Sequence, residues 1–370
     1  MSVFNAQHAL NAQNAQNAQN AQNAQGSGAA HVGGQASPLL AAALARARDG
    51  IIGTGVITGA VGTVTGLAIG ERLRRLSPGF RGAVLLAELL SDIDHTSEGG
   101  GADGADRATV LVRLAGPTAT FGPLATLARP GDADLARDLQ LVANYADLRS
   151  ERMPEILTQA SDLLSFFGAI EYLHPTRSRA TLALLDLTLD LATAVAQTVK
   201  LRLACPRPIV FAPQLQPPIQ TPEHASFPSG HATQAFALAT VLTALSEGPG
   251  LQVAADSQLF RMAARIAANR TVAGVHFTVD SAAGALLGLA LGRLLAARAL
   301  DQTALAGHGF DGTTYHRDGA PRDFHFAEFR SLTAPGDPAA ESLASVSVRP
   351  APLLASLWAE AQKEHGLRWT

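Results

Sequence analysis

The sequence predicts an all-α protein, a helical bundle of the kind that closes one large core. Two observations carry this expectation, and a third sets the scale. From about residue 132 apolar residues recur at three- and four-residue intervals, the period of an amphipathic helix. Few segments alternate apolar and polar residues as half-buried strands do. The hydrophobic share, 47% of 370 residues, suits a globular chain with a sizeable core.

The elements follow in order. Residues 1–35 hold an Asn-Ala-Gln repeat that is too polar to offset its ordering entropy, so a disordered tail is expected. The start lacks the basic and apolar regions of a secretory signal, which makes a cytoplasmic location the expectation. "SPLLAAALARARDG" reads as a short helix, with Ser37 as cap, Pro38 in the first turn and Gly50 past the end. Residues 51–70, "IIGTGVITGAVGTVTGLAIG", carry no charge and are long enough to span a bilayer. Gly62, Gly66 and Gly70 stand at small-xxx-small spacing, yet the Gly and Thr content favours a buried segment over a span. Residues 97–107 read as a loop.

Beyond residue 132 the helical period holds, and Pro154 is expected to start a new helix. Residues 178–203 form one long helix that Pro206 must end. Asp186 and Asp190 within it argue against a lipid-facing span, so membrane association is not expected. A proline-rich connection follows, then helices near 229–246, 256–272 and 281–299. These elements define a catalytic domain at 36–300, with an irregular, polar C-terminal extension at 301–370 packed on it and ending in a helix at "APLLASLWAEAQKEH". Net charge is −3, without the polybasic footprint of a nucleic-acid binder. One cysteine, Cys205, excludes internal disulfides and reads as a packed thiol. Homo-oligomerisation stays open.

Three separated pieces carry chemistry, each at an expected helix end. "KLRLACPRP" supplies Lys200 and Arg207, "PSGH" supplies Ser229, Gly230 and His231, and "NRTVAGVHFTVD" supplies Arg270, His276 and Asp280. A lysine and two arginines neutralise an oxyanion of two or more charges. The Ser229 hydroxyl, the Gly230 amide and the helix N-terminus add hydrogen bonds and a partial positive charge. His231 and His276 supply what fixed cations cannot, a proton donor and a nucleophile or metal ligand. Asp280 can accept the other N–H of His276 and fix its tautomer. Each piece alone is weak; a lone "PSGH" is as readily a capped helix start.

Together these motifs resemble those of the type 2 phosphatidic acid phosphatase and vanadium haloperoxidase superfamily: Lys-x6-Arg-Pro, Pro-Ser-Gly-His and Ser-Arg-x5-His-x3-Asp. One position departs: Asn269 stands where the family usually has serine, a position expected to be peripheral. The resemblance is close over residues 200–280 and implies a helical bundle around one pocket. It implies that Lys200, Arg207, Ser229, Gly230 and Arg270 hold the oxyanion and that Asp280 orients His276. His276 would be the covalent nucleophile of a phosphatase or the vanadium ligand of a haloperoxidase. His231 would be the general acid of the first, or the proton donor near the bound peroxide of the second.

Features outside the motifs bear on the choice. His224 lies five residues before Ser229, where the algal bromoperoxidases are similar in having a second histidine; a halide-site residue and a surface loop histidine are weighed equally. The absence of a secretory signal and of convincing membrane spans tells against secreted acid phosphatases and lipid phosphatases. The reading leans to a vanadium haloperoxidase-like enzyme with vanadate as cofactor and peroxide and halide as substrates. The alternative is a phosphomonoester phosphatase, without a cofactor, working through a phosphohistidine at His276. A non-catalytic anion binder comes third, because mere binding needs neither histidine. His308, His316 and His325 in the C-terminal segment read as solvated loop histidines rather than a metal site. "ERMPE" and "EYLHP" read as surface features.

Overall fold

The computed structural model describes residues 39, 42–47, 66–100, 104–248, 252–302, 304–316 and 320–366. The Asn-Ala-Gln tail and residues 51–65 of the Gly-rich segment lie outside the described residues. Two compact units result, one ending at Arg81 and one beginning at Gly82. In the first, residues 42–47 are helical, and α1 (Ile69–Arg74) is followed by an exposed Arg75–Glu71 ion pair of 2.9 Å across one turn. Helix α2 (Pro78–Leu90) buries Leu85 and Leu89.

The expected all-α bundle is overturned in the second unit. Strands β1 (Ile93–Glu98), β2 (Arg107–Arg113), β3 (Phe121–Ala128), β4 (Leu305–Asp311) and β5 (Ala340–Val346) form a five-stranded sheet in that spatial order, so the class is α/β. β1, β2 and β3 are an antiparallel meander, with Thr109 opposite Thr126 and their hydroxyls 3.2 Å apart. β4 joins β3 in parallel, His308 opposite Ala125, and β5 returns antiparallel to β4. Of the loop expected at 97–107, Ser97 and Glu98 belong to β1 and Arg107 to β2, while 101–103 lie outside the described residues; the segment beyond residue 300, expected to be irregular, supplies two strands.

The physical reason for the miss is local. β2, "RATVLVR", does alternate, burying Ala108, Val110 and Val112. β1 is mostly exposed and polar, β3 carries Gly122 and Pro123, and β4 carries Gly307 and Gly309, all poor strand signals. β4 is a strand because β3 pairs with it from far along the chain, which no local period can reveal.

The helices between β3 and β4 fall close to the expected places. They are α3 (Asp132–Asn144), α4 (Arg149–Gln159), α5 (Leu164–Gly168), α6 (Arg179–Leu203), α7 (Pro208–Phe211), α8 (Gly230–Glu247), α9 (Gln258–Val272) and α10 (Thr278–Ala299). Pro154 lies inside α4 rather than at its start, at the loss of one main-chain hydrogen bond. α6 ends at Ala204, whose left-handed φ of 49° turns the chain two residues before Pro206. α11 (Phe326–Thr333) and α12 (Pro352–Gly366) complete the unit. The Glu364 carboxylate of α12 caps the start of α6, accepting from the amides of Ala180 and Thr181 at 2.8 Å.

Helix α8 packs along α10, and α10 in turn packs on β3 and β4. The close helix pair depends on Gly284, Gly288 and Gly292, one turn apart on α10. A Cβ at Gly284 would stand 2.5 Å from the Ser229 carbonyl oxygen, and one at Gly292 would stand 2.5 Å from the Thr240 Cβ. Only bare backbone lets the two helices approach so closely, and this approach sets the start of α8 against the start of α10. Among the described residues two helical stretches, Arg179–Phe211 and Thr278–Ala299, are long and apolar enough to cross a membrane by length and composition. The second has 94% of its apolar window buried inside the protein, as a core helix does.

Candidate active site

The site lies where four helix ends meet. α6 delivers Lys200 from its last turn, and Arg207 follows just before α7. Ser229 is the N-cap of α8, its hydroxyl accepting from the Ala232 amide at 3.4 Å. Arg270 closes α9, and Asp280 sits in the first turn of α10. The Ser229 amide donates to the Asp280 carbonyl at 2.8 Å, which fastens the two helix starts together.

His276 is 3% exposed and its geometry is specified on both sides. Its Nδ1 lies 2.9 Å from Asp280 Oδ2, and that oxygen also accepts from the Ser226 hydroxyl at 2.5 Å and the Phe277 amide at 3.0 Å. An acceptor so well supplied assigns the ring proton to Nδ1, leaving Nε2 unprotonated toward Arg207, whose Nη1 is 3.4 Å away. Burial first, then Arg207 and Lys200, hold the His276 pKa well below the ordinary imidazole value, so the ring is neutral. Burial raises the Asp280 pKa to about 6 while the Ser226 hydrogen bond and Lys200 oppose that rise, so the carboxylate is largely ionised at neutral pH.

The cations are buried and anchored. Lys200 Nζ donates to the carbonyls of Ala225 at 2.8 Å and Ser226 at 2.6 Å. Arg207 donates to His224 O at 2.9 Å, Val275 O at 2.7 Å and Ala225 O at 3.3 Å. Arg270 donates through Nη2 to Ile156 O at 3.1 Å and Gln159 Oε1 at 3.3 Å. Desolvation lowers both arginines to about 10, which leaves them charged at neutral pH. It also pushes Lys200 well down, with Arg207 adding to the effect. A cluster of cations taken from water and placed together is costly unless an anion joins it.

His231 stands at the first turn of α8, half-buried, with the Gln159 main-chain carbonyl as hydrogen-bond acceptor. Burial and then Arg270 hold its pKa well below the ordinary value. Gly230 carries no side chain between the first amides of α8 and Lys200, whose Cε would be 3.9 Å from a Cβ there. His224 is half-buried rather than free on a surface loop: Arg207 Nη2 lies 3.1 Å from its Nδ1. The same Nδ1 lies 3.1 Å from the Ala225 carbonyl oxygen, so it stands between a donor and an acceptor and the ring tautomer sets which of them it meets. Burial, Lys200 and Arg207 lower the His224 pKa to about 4. All nine residues singled out in the sequence thus fall at one junction or on its direct partners.

Sequence reasoning missed several supports. Ser226 lies three residues before Ser229 and bridges His276 and Asp280, its Oγ 3.2 Å from His276 Nδ1. Arg149 ties the turn after α9 to the proline-rich connection, donating to Val272 O at 3.0 Å, Gln216 O at 3.2 Å and Leu215 O at 3.0 Å. Asn269 is not peripheral. It is fully buried, accepts from Arg152 at 3.3 Å, and donates to Glu155 at 3.0 Å and Gln159 at 2.9 Å. "ERMPE" is accordingly part of an α4–α9 polar seam that also pairs Glu155 with Arg265. No local sequence signal marks these roles, because the partners lie between 50 and 123 residues apart.

Elsewhere, Cys205 is a packed thiol, pushed up to about 12 by burial. His308 is buried against Arg293 at 2.9 Å, and the His316 side chain is buried 3.6 Å from Asp138, so neither is solvated; His325 is exposed. Among the described residues no group of three or more His, Cys, Asp or Glu side chains is placed to hold a metal.

No curated protein matches the chain. The family model of the PAP2 superfamily matches residues 181–303, the stretch that contains Lys200, Arg207, the Ser229–His231 turn, Arg270, His276 and Asp280. With the junction of helix ends and this match pointing the same way, residues 181–303 belong to the PAP2 superfamily, whose members are phosphatases and haloperoxidases.

Proposed function

We propose that the pocket takes vanadate and that the chain is a haloperoxidase-like enzyme, oxidising halide with peroxide. The observation that carries this reading is His224. It is held in the wall of the pocket by Arg207 at 3.1 Å, at the offset from Ser229 where the algal bromoperoxidases are similar in having a second histidine. The residues present fit the group: three buried cations, a helix N-terminus with Ser229 and Gly230 as donors, and an unprotonated nitrogen at His276 Nε2. Bound there, vanadate supplies Lewis acidity that activates peroxide toward halide. The chain does the rest. Lys200, Arg207 and Arg270 hold the negative charge, Asp280 and Ser226 keep the His276 lone pair aimed inward, and His231 delivers a proton to the departing oxygen.

Phosphomonoester hydrolysis is the second reading, favoured by the fact that these side chains complete it without any added group. His276 Nε2 attacks phosphorus, the N–P bond forms and the P–O ester bond breaks, and the leaving oxygen takes the proton of a protonated His231. Water, deprotonated by the now neutral His231, then breaks the N–P bond and releases phosphate. One experiment separates the two. Purified protein is assayed for halide oxidation with orthovanadate and peroxide, beside p-nitrophenyl phosphate hydrolysis without vanadate. Vanadate-dependent halide oxidation is expected; phosphate release with no halide oxidation would give the pocket to the phosphatase reading, and two blank assays across pH to simple anion binding.

A further inference from the structure

The seam between α4 and α9 ends at Gln159, a fully buried glutamine that the matched segment 181–303 does not include. Its carboxamide orientation is fixed by its neighbours. Asn269 Nδ2 donates to Oε1 at 2.9 Å and Arg270 Nη2 donates to it at 3.3 Å. Asn269 is in turn oriented by Arg152, a pure donor on its Oδ1, and by the Glu155 carboxylate on its Nδ2. Reversing the Gln159 amide would set donor against donor on both contacts, so Oε1 belongs on that side.

This leaves Nε2 turned away from Asn269, buried and with no hydrogen-bond partner among the described residues. Arg270 Nε is in the same condition. The Gln159 main-chain carbonyl also acts on the His231 ring, so this one residue lies beside both Arg270 and His231. A buried amide donor left unmet is costly, and native proteins rarely leave one without a use.

We infer that Gln159 is a further oxyanion-binding residue: its Nε2, together with Arg270 Nε, donates to a tetrahedral oxyanion held in the pocket. The inference rests on the oxyanion-pocket reading and holds for vanadate and phosphate alike. The departure of Asn269 from the family's usual serine belongs to the same device, because its amide engages Gln159 Oε1 and leaves Nε2 to donate elsewhere.

Isothermal titration of the full chain with inorganic phosphate tests it, with wild type, Gln159→Met and Gln159→Glu side by side and thermal melts as the folding control. Losing a hydrogen bond to a charged ligand should weaken phosphate binding about tenfold to a hundredfold in the methionine variant. The glutamate variant keeps an acceptor for Asn269 and Arg270, so recovery of wild-type affinity there would reduce Gln159 to a support for Arg270 and overturn the donor role. Unchanged affinity in Gln159→Met would overturn it too. Absence of phosphate binding by wild type would instead remove the pocket reading, and the inference with it. Should the variants fail to fold, a crystal structure of the wild type with phosphate decides: Nε2 within about 3.2 Å of a phosphate oxygen is expected, and a separation beyond about 4 Å sinks the proposal.

Discussion

The two histidines proposed to do the chemistry, His231 and His276, differ more than their similar places beside helix starts suggest. His276 is buried at the start of α10, its Nδ1 within reach of both Asp280 and Ser226, so only one nitrogen is left to act. His231 is half-buried at the start of α8, and what acts on its ring is the main-chain carbonyl of Gln159 rather than a carboxylate. The first is built to hold a lone pair in one direction, which is what a nucleophile or a ligand needs. The second is built to change protonation state. Position on the helix explains the contrast: Asp280 is four residues from His276 in the same first turn, whereas His231 reaches only the neighbouring α4.

The sharpest way to break this contrast is to remove the fixed histidine. His276→Ala is expected to abolish activity, by at least about 10³-fold, since it removes the ring nitrogen that Asp280 and Ser226 keep unprotonated toward Arg207. Residual turnover near wild type, measured in the halide or phosphate assay that wild type supports, would show that His276 is not the bonding atom. His231→Ala should cost about 10²–10⁴-fold, the range of a general acid, and the loss should shrink when the leaving group needs no proton. A loss independent of leaving-group pKa would take His231 out of proton transfer. Asp280→Asn keeps the shape but frees the His276 tautomer, and a drop of about 10–100-fold is expected in vanadate or phosphate affinity or in rate.

The pH profile sharpens the same contrast. Both histidines are shifted downward by burial and by cations. A low value keeps His276 Nε2 unprotonated into the acid range. The same shift leaves His231 deprotonated at neutral pH in the free enzyme, although an acid must carry its proton. kcat/KM should therefore peak on the acid side of neutrality and fall as pH rises through the depressed His231 value. An anion in the pocket cancels part of the cationic field and raises His231, so the falling limb of kcat should lie at higher pH than that of kcat/KM. Limbs that coincide near the ordinary imidazole value of about 6.5 would contradict the field ascribed to Lys200, Arg207 and Arg270.

How much of this was legible follows from distance along the chain. Lys200 to Asp280 could be read because each motif residue is forced by local chemistry: a cation at a helix end, a cap, a histidine four residues from its carboxylate. The α6, α8, α9 and α10 helices could be read for the same reason, their period being local. The sheet could not, since β4 owes its state to β3 and not to its own glycine-rich sequence. Gln159, Arg149 and Asn269 were illegible in the same way. A glutamine ending an amphipathic helix looks like surface until α9 is laid across it, and only then does its amide meet Arg270.

His224 offers the smallest expected effect and the finest cut. Its Nδ1 lies 3.1 Å from Arg207 Nη2, and burial beside Lys200 and Arg207 holds its pKa at about 4. It is therefore neutral across the working range and cannot act as an acid there; what it offers is a polar wall beside a fixed guanidinium. Replacing it by phenylalanine leaves Arg207 its three carbonyl acceptors, at His224, Val275 and Ala225. Orthovanadate affinity should consequently stay within about twofold, an interaction change under about 0.5 kcal/mol, while the ratio of bromide to chloride oxidation shifts. A His224→Phe protein with unchanged halide preference would make His224 a support for Arg207 alone, and the case for haloperoxidase over phosphatase chemistry would lose the one side chain that distinguishes them.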